Sequence, residues 1–185
     1  MPNSLRLFTG LALEYPVRRN LELVLEHLRP LAPLTWSPSD NFHITTKFIG
    51  DWPEERLDEL KLALGGLAKR GPITCEIGGF GWYPNPHQPR VLYGGVKGPV
   101  ELRELAKDLD KCCEGLGVPR EKREYSPHLT LGRMRGVQNV VALRQAIAQL
   151  PSAEFGSSTA SKFLLYKSEA GDQTSVYRVI GEFAL

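Results

Sequence analysis

Apolar residues along the chain follow two spacings, one typical of β-strands and one typical of α-helices. Residues 5–13 alternate as an opening strand. After Pro16, which suits the first turn of a helix, apolar residues recur at helical spacing at Leu21, Val24, Leu25 and Leu28. The prolines that follow predict a loop, and residues 42–49 predict a second strand that ends at Gly50.

The same two spacings predict the remaining elements. A second helix is expected from Pro53 to Leu67, and a third after Gly98-Pro99. Between them, strands at 73–77 and 91–96 flank a loop that holds Trp82 and His87, and we interpret Gly78-Gly79-Phe80-Gly81 as a turn. A strand at 127–134, a helix at 140–150 and closing strands at 162–168 and 175–183 complete the chain.

The predicted order, β-α-β-α-β followed by β-α-β-α-β-β, repeats one arrangement in each half of the chain. The halves share little sequence, and no flexible linker separates them. We therefore expect a single domain over residues 1–185, built as two interleaved lobes that form one body around a shared cleft.

Composition and charge fit an ordinary soluble domain. The 185 residues suffice for one packed core, with 42% hydrophobic and 24% charged residues. A net charge of +2 is too small to indicate a nucleic-acid coat or a membrane-surface role, although it allows a local basic patch. We predict no signal peptide and no membrane span. Cys75, Cys112 and Cys113 lack metal-ligand spacing, so we expect free thiols in a reducing cytoplasm.

One short motif occurs at the same place in both halves. The first motif is His43-Ile44-Thr45 and the second motif is His128-Leu129-Thr130. Because residues two apart on a strand point to the same face, each motif presents an imidazole and a hydroxyl side by side. Two of only four histidines carry this pattern, so the repetition indicates a functional pair.

Paired histidines suit general acid–base chemistry near neutral pH. Phosphodiester hydrolysis needs a base for water and an acid for the leaving oxygen, and Thr45 and Thr130 could donate to the phosphate oxygens. Lys47 shares the histidine face if its strand is regular, whereas Arg133 needs a bulge or the end of its strand, for which Gly132 is the candidate. Either cation could bind phosphate.

Other interpretations of these residues are weaker. A single histidine on a strand is more often structural than catalytic, but the matched pair reverses those odds. A metal site is the rival, and it lacks a Cys, Asp or Glu ligand in either motif. No Gly-rich phosphate loop is present. His27 and His87 are expected at the surface.

The paired motifs resemble those of the two-histidine phosphoesterase superfamily, specifically the RNA 2′,3′-cyclic phosphodiesterases, formerly named 2′-5′ RNA ligases. Residues 41–50 and 126–133 look like the two family motifs, and the opening strand, the mid-chain strand at 89–93 and the closing strands are also similar. Thr46 departs from the pattern, because the family often has an aliphatic residue there.

The resemblance implies an α+β, bilobal fold with two pseudo-symmetric lobes, antiparallel-rich sheets around a V-shaped central cleft, and helices outside. It implies hydrolysis of RNA 2′,3′-cyclic phosphate ends to 2′-phosphates without metal or cofactor, with His43 and His128 catalytic. Thr45, Thr130 and Arg133 would bind the phosphate. We assign the base to His128 and the acid to His43, an order that the near-symmetric lobes leave open.

The resemblance also implies an RNA partner with a cyclic phosphate end, tRNA fragments being candidates, and a cytoplasmic monomer without membrane contact. Ligation of 2′-5′ ends would use a 5′-hydroxyl in place of water. Two alternatives stay open: a phosphodiesterase of small cyclic nucleotides, and a non-catalytic module that binds RNA ends.

Overall fold

The structure, a computed structural model, describes residues 3–185. Four helices and nine strands follow in chain order, with three short 3-10 turns between them. They are β1 (Ser4–Ala12), α1 (Tyr15–Leu28), β2 (Thr35–Trp36), β3 (His43–Pro53), α2 (Leu57–Gly65), β4 (Ile73–Tyr83), β5 (Val91–Lys97), α3 (Val100–Gly115), β6 (His128–Arg133), α4 (Val141–Ala148), β7 (Glu154–Ala160), β8 (Lys162–Glu169) and β9 (Val176–Ala184).

The strands form two antiparallel sheets. The four-stranded sheet has the order β3-β1-β8-β9, and the five-stranded sheet has the order β2-β6-β5-β4-β7. Each sheet takes strands from both halves of the chain. The expected α+β fold with two antiparallel sheets is therefore confirmed.

Helices α1, α2 and α3 contact these sheets. In α1 the buried positions are Val17, Leu21, Leu25 and Leu28, the spacing that places residues on one side of a helix. Helix α1 contacts β7 of the five-stranded sheet, and α3 contacts β3 of the four-stranded sheet. Within residues 3–185, no helix is both long and apolar enough to span a membrane. All three cysteines are free.

Four sequence predictions about strands were wrong, and bulges explain two of them. Gly50 does not end its strand: the register with β1 shifts there, Gly50 adopts a φ of 81°, and β3 continues to Pro53. Residues 78–81 form no turn but lie inside β4, where Gly79 has a φ of 77° beside another register shift. Trp82 is therefore on a strand.

The third error is the omission of β7. Its sequence, EFGSSTA, buries only Phe155 and Ser158, so it lacks the apolar alternation that identifies a strand. Pairing with β4 supplies its stability. The fourth error is the omission of β2, which has only two residues and is therefore too short to show an alternating pattern.

Candidate active site

The two motif strands come from different sheets and meet between them. Strand β3, with the first motif, is the edge of the four-stranded sheet, and β6, with the second motif, is covered only by the short β2. Cα atoms of β3 and β6 approach within 8 Å. The Tyr125 hydroxyl donates to the Thr45 carbonyl oxygen at 2.8 Å and so joins the segment before β6 to β3.

Both motif histidines are oriented in the same way. His43 Nδ1 lies 2.7 Å from the Asn41 carbonyl oxygen, and His128 Nδ1 lies 2.9 Å from the Ser126 carbonyl oxygen. A carbonyl can only accept, so Nδ1 carries the proton in each ring. In the neutral imidazole Nε2 is then left unprotonated, and it can take or return a proton.

The motif threonines lie on the same strand face as their histidines. The Thr45 hydroxyl lies 2.8 Å from His43 Nε2. In both strands the half-buried His and Thr flank a buried aliphatic residue, Ile44 or Leu129. The side-by-side imidazole and hydroxyl expected from the sequence are therefore present in both strands.

A β-bulge directly after each motif changes which later residues share that face. In β3 the pairing with β1 skips Thr46, and in β6 the pairing with β5 skips Leu131. The extra residue reverses the alternation, so Arg133 is exposed in β6 and Phe48 is exposed in β3. The bulge that Arg133 required is present, one residue before Gly132.

Lys47 does not lie on the histidine face, where a regular strand would place it. Its side chain is only 1% exposed, and its Nζ lies 2.7 Å from Asp110 Oδ1, 3.6 Å from Glu121 Oε1 and 3.2 Å from the Pro119 carbonyl oxygen. The bulge at Thr46 turns it into the interior. Its contacts therefore give no support to the predicted phosphate-binding role of Lys47.

Both histidines are biased toward the neutral form. Burial lowers the pKa of His43 to about 4, against the opposing effect of the Asn41 carbonyl, and the charges of His128 and Arg133 lower it further. Burial also lowers the pKa of His128, again with a contribution from Arg133. The positive charge of Arg133 thus opposes protonation of both rings.

Aromatic rings around each histidine were not identified as site residues from the sequence. His43 packs against Phe8, Tyr166 and Tyr177, with ring centroids 4.7, 5.5 and 5.4 Å away. His128 packs against Tyr83 and Tyr93 at 5.0 and 5.6 Å. Phe8 and Tyr93 lie on β1 and β5, the strands that pair with β3 and β6, whereas Tyr83, Tyr166 and Tyr177 lie on strands farther away in the sheets.

A cavity of about 820 Å³ opens beside the motifs and includes Thr45 and His128 in its wall. Strand β3, the β4–β5 connection, helix α3 and the segment before β6 enclose it. Among residues 3–185, no group of three or more His, Cys, Asp or Glu side chains is arranged to hold a metal ion. His27 and His87 are exposed, as expected, and neither lines this cavity.

Comparison with known proteins supplies independent evidence. The family described as LigT like phosphoesterase matches residues 11–93 and 96–177, one segment in each half of the chain.

Two curated relatives carry the name RNA 2′,3′-cyclic phosphodiesterase. The one from Methanothermobacter thermautotrophicus is 31% identical over 98% of this chain and 100% of its own. The one from Aeropyrum pernix is 32% identical over 81% of this chain and 85% of its own. A solved structure from Thermus thermophilus superimposes with a TM-score of 0.81 at 29% identity, over 98% of both chains.

Proposed function

The chain belongs to the LigT-like phosphoesterase family, and from that membership we propose that it is an RNA 2′,3′-cyclic phosphodiesterase that uses His43 and His128 as a general acid–base pair. The observation that carries the proposal is the matched geometry of the two rings. Each has its Nδ1 held by a carbonyl two residues before it in the chain, and the strands that carry them approach each other within 8 Å between Cα atoms.

The reaction requires two proton transfers, one from the attacking water and one to the leaving O3′. One histidine Nε2 takes a proton from water as its oxygen attacks phosphorus, and the bond from phosphorus to O3′ breaks. The other histidine gives a proton to O3′, which leaves a 2′-phosphate. Thr45, Thr130 and Arg133 stabilise the charge that develops on the phosphate oxygens.

The sequence and the pKa of His43 favour opposite assignments of the acid and the base. The order assigned from sequence is His128 as base and His43 as acid. His43, with its pKa of about 4, is the more readily deprotonated ring, which suits a base. A bound phosphate anion raises both pKa values, so either order stays compatible with this geometry.

The direct test uses an oligoribonucleotide that ends in a 2′,3′-cyclic phosphate, with EDTA present. We expect hydrolysis to a 2′-phosphate, which phosphorus NMR distinguishes from a 3′-phosphate. Loss of activity in EDTA, restored by added metal, contradicts the mechanism, and a 3′-phosphate product contradicts the choice of leaving oxygen. Binding without turnover on every substrate supports an RNA-end-binding module instead.

Ligation is a second expected activity of the same site. A 5′-hydroxyl in the position of water would attack the same phosphorus and form a 2′-5′ linkage. We expect this product only when a second RNA with a free 5′-hydroxyl is present at high concentration, because water competes for the base.

A further inference from the structure

The cavity beside the catalytic pair has a wall that the proposed chemistry does not use. Beyond Thr45 and His128 it is lined by basic and aromatic side chains from separate segments: Phe48, Tyr83, Arg90, Arg103, Lys107 and Arg123. Its volume of about 820 Å³ lies toward the upper end of the ~300–1,000 Å³ usual for ligand pockets.

The charges on this wall leave a positive balance. Three carboxylates also line the cavity, but each has a cationic neighbour. Asp110 and Glu121 lie 2.7 and 3.6 Å from Lys47 Nζ, and Glu124 lies 3.9 Å from Arg103. Within residues 3–185, Arg90, Lys107 and Arg123 take part in no ion pair. These cations are available for an anionic ligand.

Two aromatic side chains, Phe48 and Tyr83, line the same cavity as those cations. The Phe48 side chain is 55% exposed although it lies within a strand, because the bulge at Thr46 turns it outward. The Tyr83 ring packs against His128 at 5.0 Å and donates its hydroxyl to Ser126 Oγ. Exposed aromatic faces next to unpaired cations are the features that bind single-stranded nucleic acid through base stacking and backbone contacts.

We propose that this cavity is a subsite for the nucleotide that precedes the cyclic phosphate end, so that the protein prefers oligoribonucleotide ends to mononucleotide 2′,3′-cyclic phosphates. The inference rests on the proposed cyclic phosphodiesterase function. With the cyclic phosphate between the histidines, the strand on its 5′ side must leave the cleft. The cavity offers that strand cations for its phosphodiester and an aromatic face for its base.

The test compares kcat/KM for a mono-, a di- and a trinucleotide with the same cyclic-phosphate terminus. For the wild type we expect a rise of about tenfold from mono- to dinucleotide, which is the effect of one stacked base and one phosphate contact. Salt should reduce kcat/KM more steeply for the dinucleotide, with a slope larger by about 0.7 per additional phosphate contact.

The double variant Lys107→Gln/Arg123→Gln removes two exposed cations from the wall. We expect it to remove most of the preference for the dinucleotide and to flatten the extra salt dependence. The matched control, Lys61→Gln/Lys69→Gln, makes the same charge change outside the cavity lining, and it should keep the preference.

The outcomes separate the subsite from the function on which it rests. Equal kcat/KM for mono- and dinucleotide in the wild type overturns the subsite and leaves the phosphodiesterase standing. An equal loss of preference in the control variant also overturns the subsite, because it indicates general charge attraction. Failure to hydrolyse any of the three substrates overturns the proposed function itself.

Discussion

The first motif strand, β3, and the second motif strand, β6, are built alike up to the bulge and differ after it. Both have His, aliphatic, Thr and one extra residue, Thr46 or Leu131. The next position is the buried Lys47 in β3 and Gly132 in β6. The position after that, which the bulge returns to the cleft side, is Phe48 in β3 and Arg133 in β6.

The partner strands extend this difference to the histidines. Opposite the motif threonine stands Gly10 in β1 but Tyr93 in β5. A Cβ atom at Gly10 would lie 2.9 Å from the Ile44 carbonyl oxygen and 3.3 Å from His43 Cδ2. The absence of a side chain at Gly10 therefore allows the His43 ring to pack against Phe8. In the other lobe the Tyr93 ring supports His128 instead. A near-symmetric repeat thus gives the two histidines unequal environments.

The largest effect should come from removing either histidine. We expect His43→Ala and His128→Ala each to lower kcat/KM on a cyclic-phosphate end by roughly 10²–10⁴-fold, the usual contribution of one acid or base. Circular dichroism should show that both variants fold. His27→Ala and His87→Ala are the matched controls, since both residues are exposed and neither lines the cavity beside the motifs. Wild-type rates in either motif variant would contradict the paired mechanism.

The next test concerns the unlike residues that follow the bulges. If Arg133 binds the phosphate as proposed, Arg133→Met should lower kcat/KM on the order of 10²-fold, because it removes a donor to the charged phosphate oxygens. It should also raise the pKa of both histidines, since the Arg133 charge lowers them. NMR titration of the imidazole protons measures both changes. Phe48→Leu carries no charge change, so it should leave the two pKa values where they are.

An unchanged histidine titration in Arg133→Met would show that the guanidinium lies too far from the pair to act on it.

The buried Lys47 has no counterpart in β6 and should affect stability rather than chemistry. Lys47→Met leaves Asp110 without its closest partner, and we expect the free energy of unfolding to fall by about 1–3 kcal/mol. This loss is smaller than for a fully buried pair because the Asp110 side chain is 19% exposed. Urea denaturation measures the change.

The double variant Lys47→Met/Asp110→Asn isolates the interaction. If the ion pair causes the loss, the second substitution should cost less in the Lys47→Met background than in the wild type. Strict additivity of the two losses would contradict the role of the pair.

The last prediction compares the two histidines through the dependence of stability on pH. Because the pKa of folded His43 is about 4, against about 6.5 for an unfolded histidine, the unfolded chain binds more protons between these values. Stability from this group is therefore complete above about pH 6.5 and is lost as the pH falls toward 4.

Unfolding titrations of His43→Gln and His128→Gln test that difference. His43→Gln should remove more of the pH dependence than His128→Gln, because the pKa of His128 is lowered less. If His128→Gln removes more of the pH dependence than His43→Gln, the folded structure lowers the pKa of His128 more than that of His43, which contradicts this prediction.

Strands and helices with regularly spaced apolar residues could be predicted from the sequence. The β-bulges that interrupt this spacing could not. Strands β1, β5 and β8 and all four helices were predicted close to their observed positions because their apolar spacing is regular. The bulge at Thr46 has no such signature, so Lys47 was assigned to the wrong side of its strand. The bulge near Gly132 was anticipated only because Arg133 needed it.

The aromatic surroundings of the histidines depend on pairing between distant strands. Phe8 and Tyr166 face each other across β1 and β8, and Tyr177 belongs to the next strand. No local pattern in the sequence indicates that these three rings meet at His43. The assignment of catalytic roles, the monomeric state and the single-domain boundary stay predictions.

The most direct test of the acid–base pair replaces the leaving O3′ of the cyclic phosphate by sulfur. A thiolate leaves without protonation, so this substrate no longer needs the general acid but still needs the base. We predict that one of His43→Ala and His128→Ala regains most of the wild-type rate on the sulfur substrate and that the other does not. Rescue of His43→Ala supports the order assigned from sequence, and rescue of His128→Ala supports the order favoured by the pKa values. Rescue of both variants, or of neither, would contradict the division of one acid and one base between the two motifs.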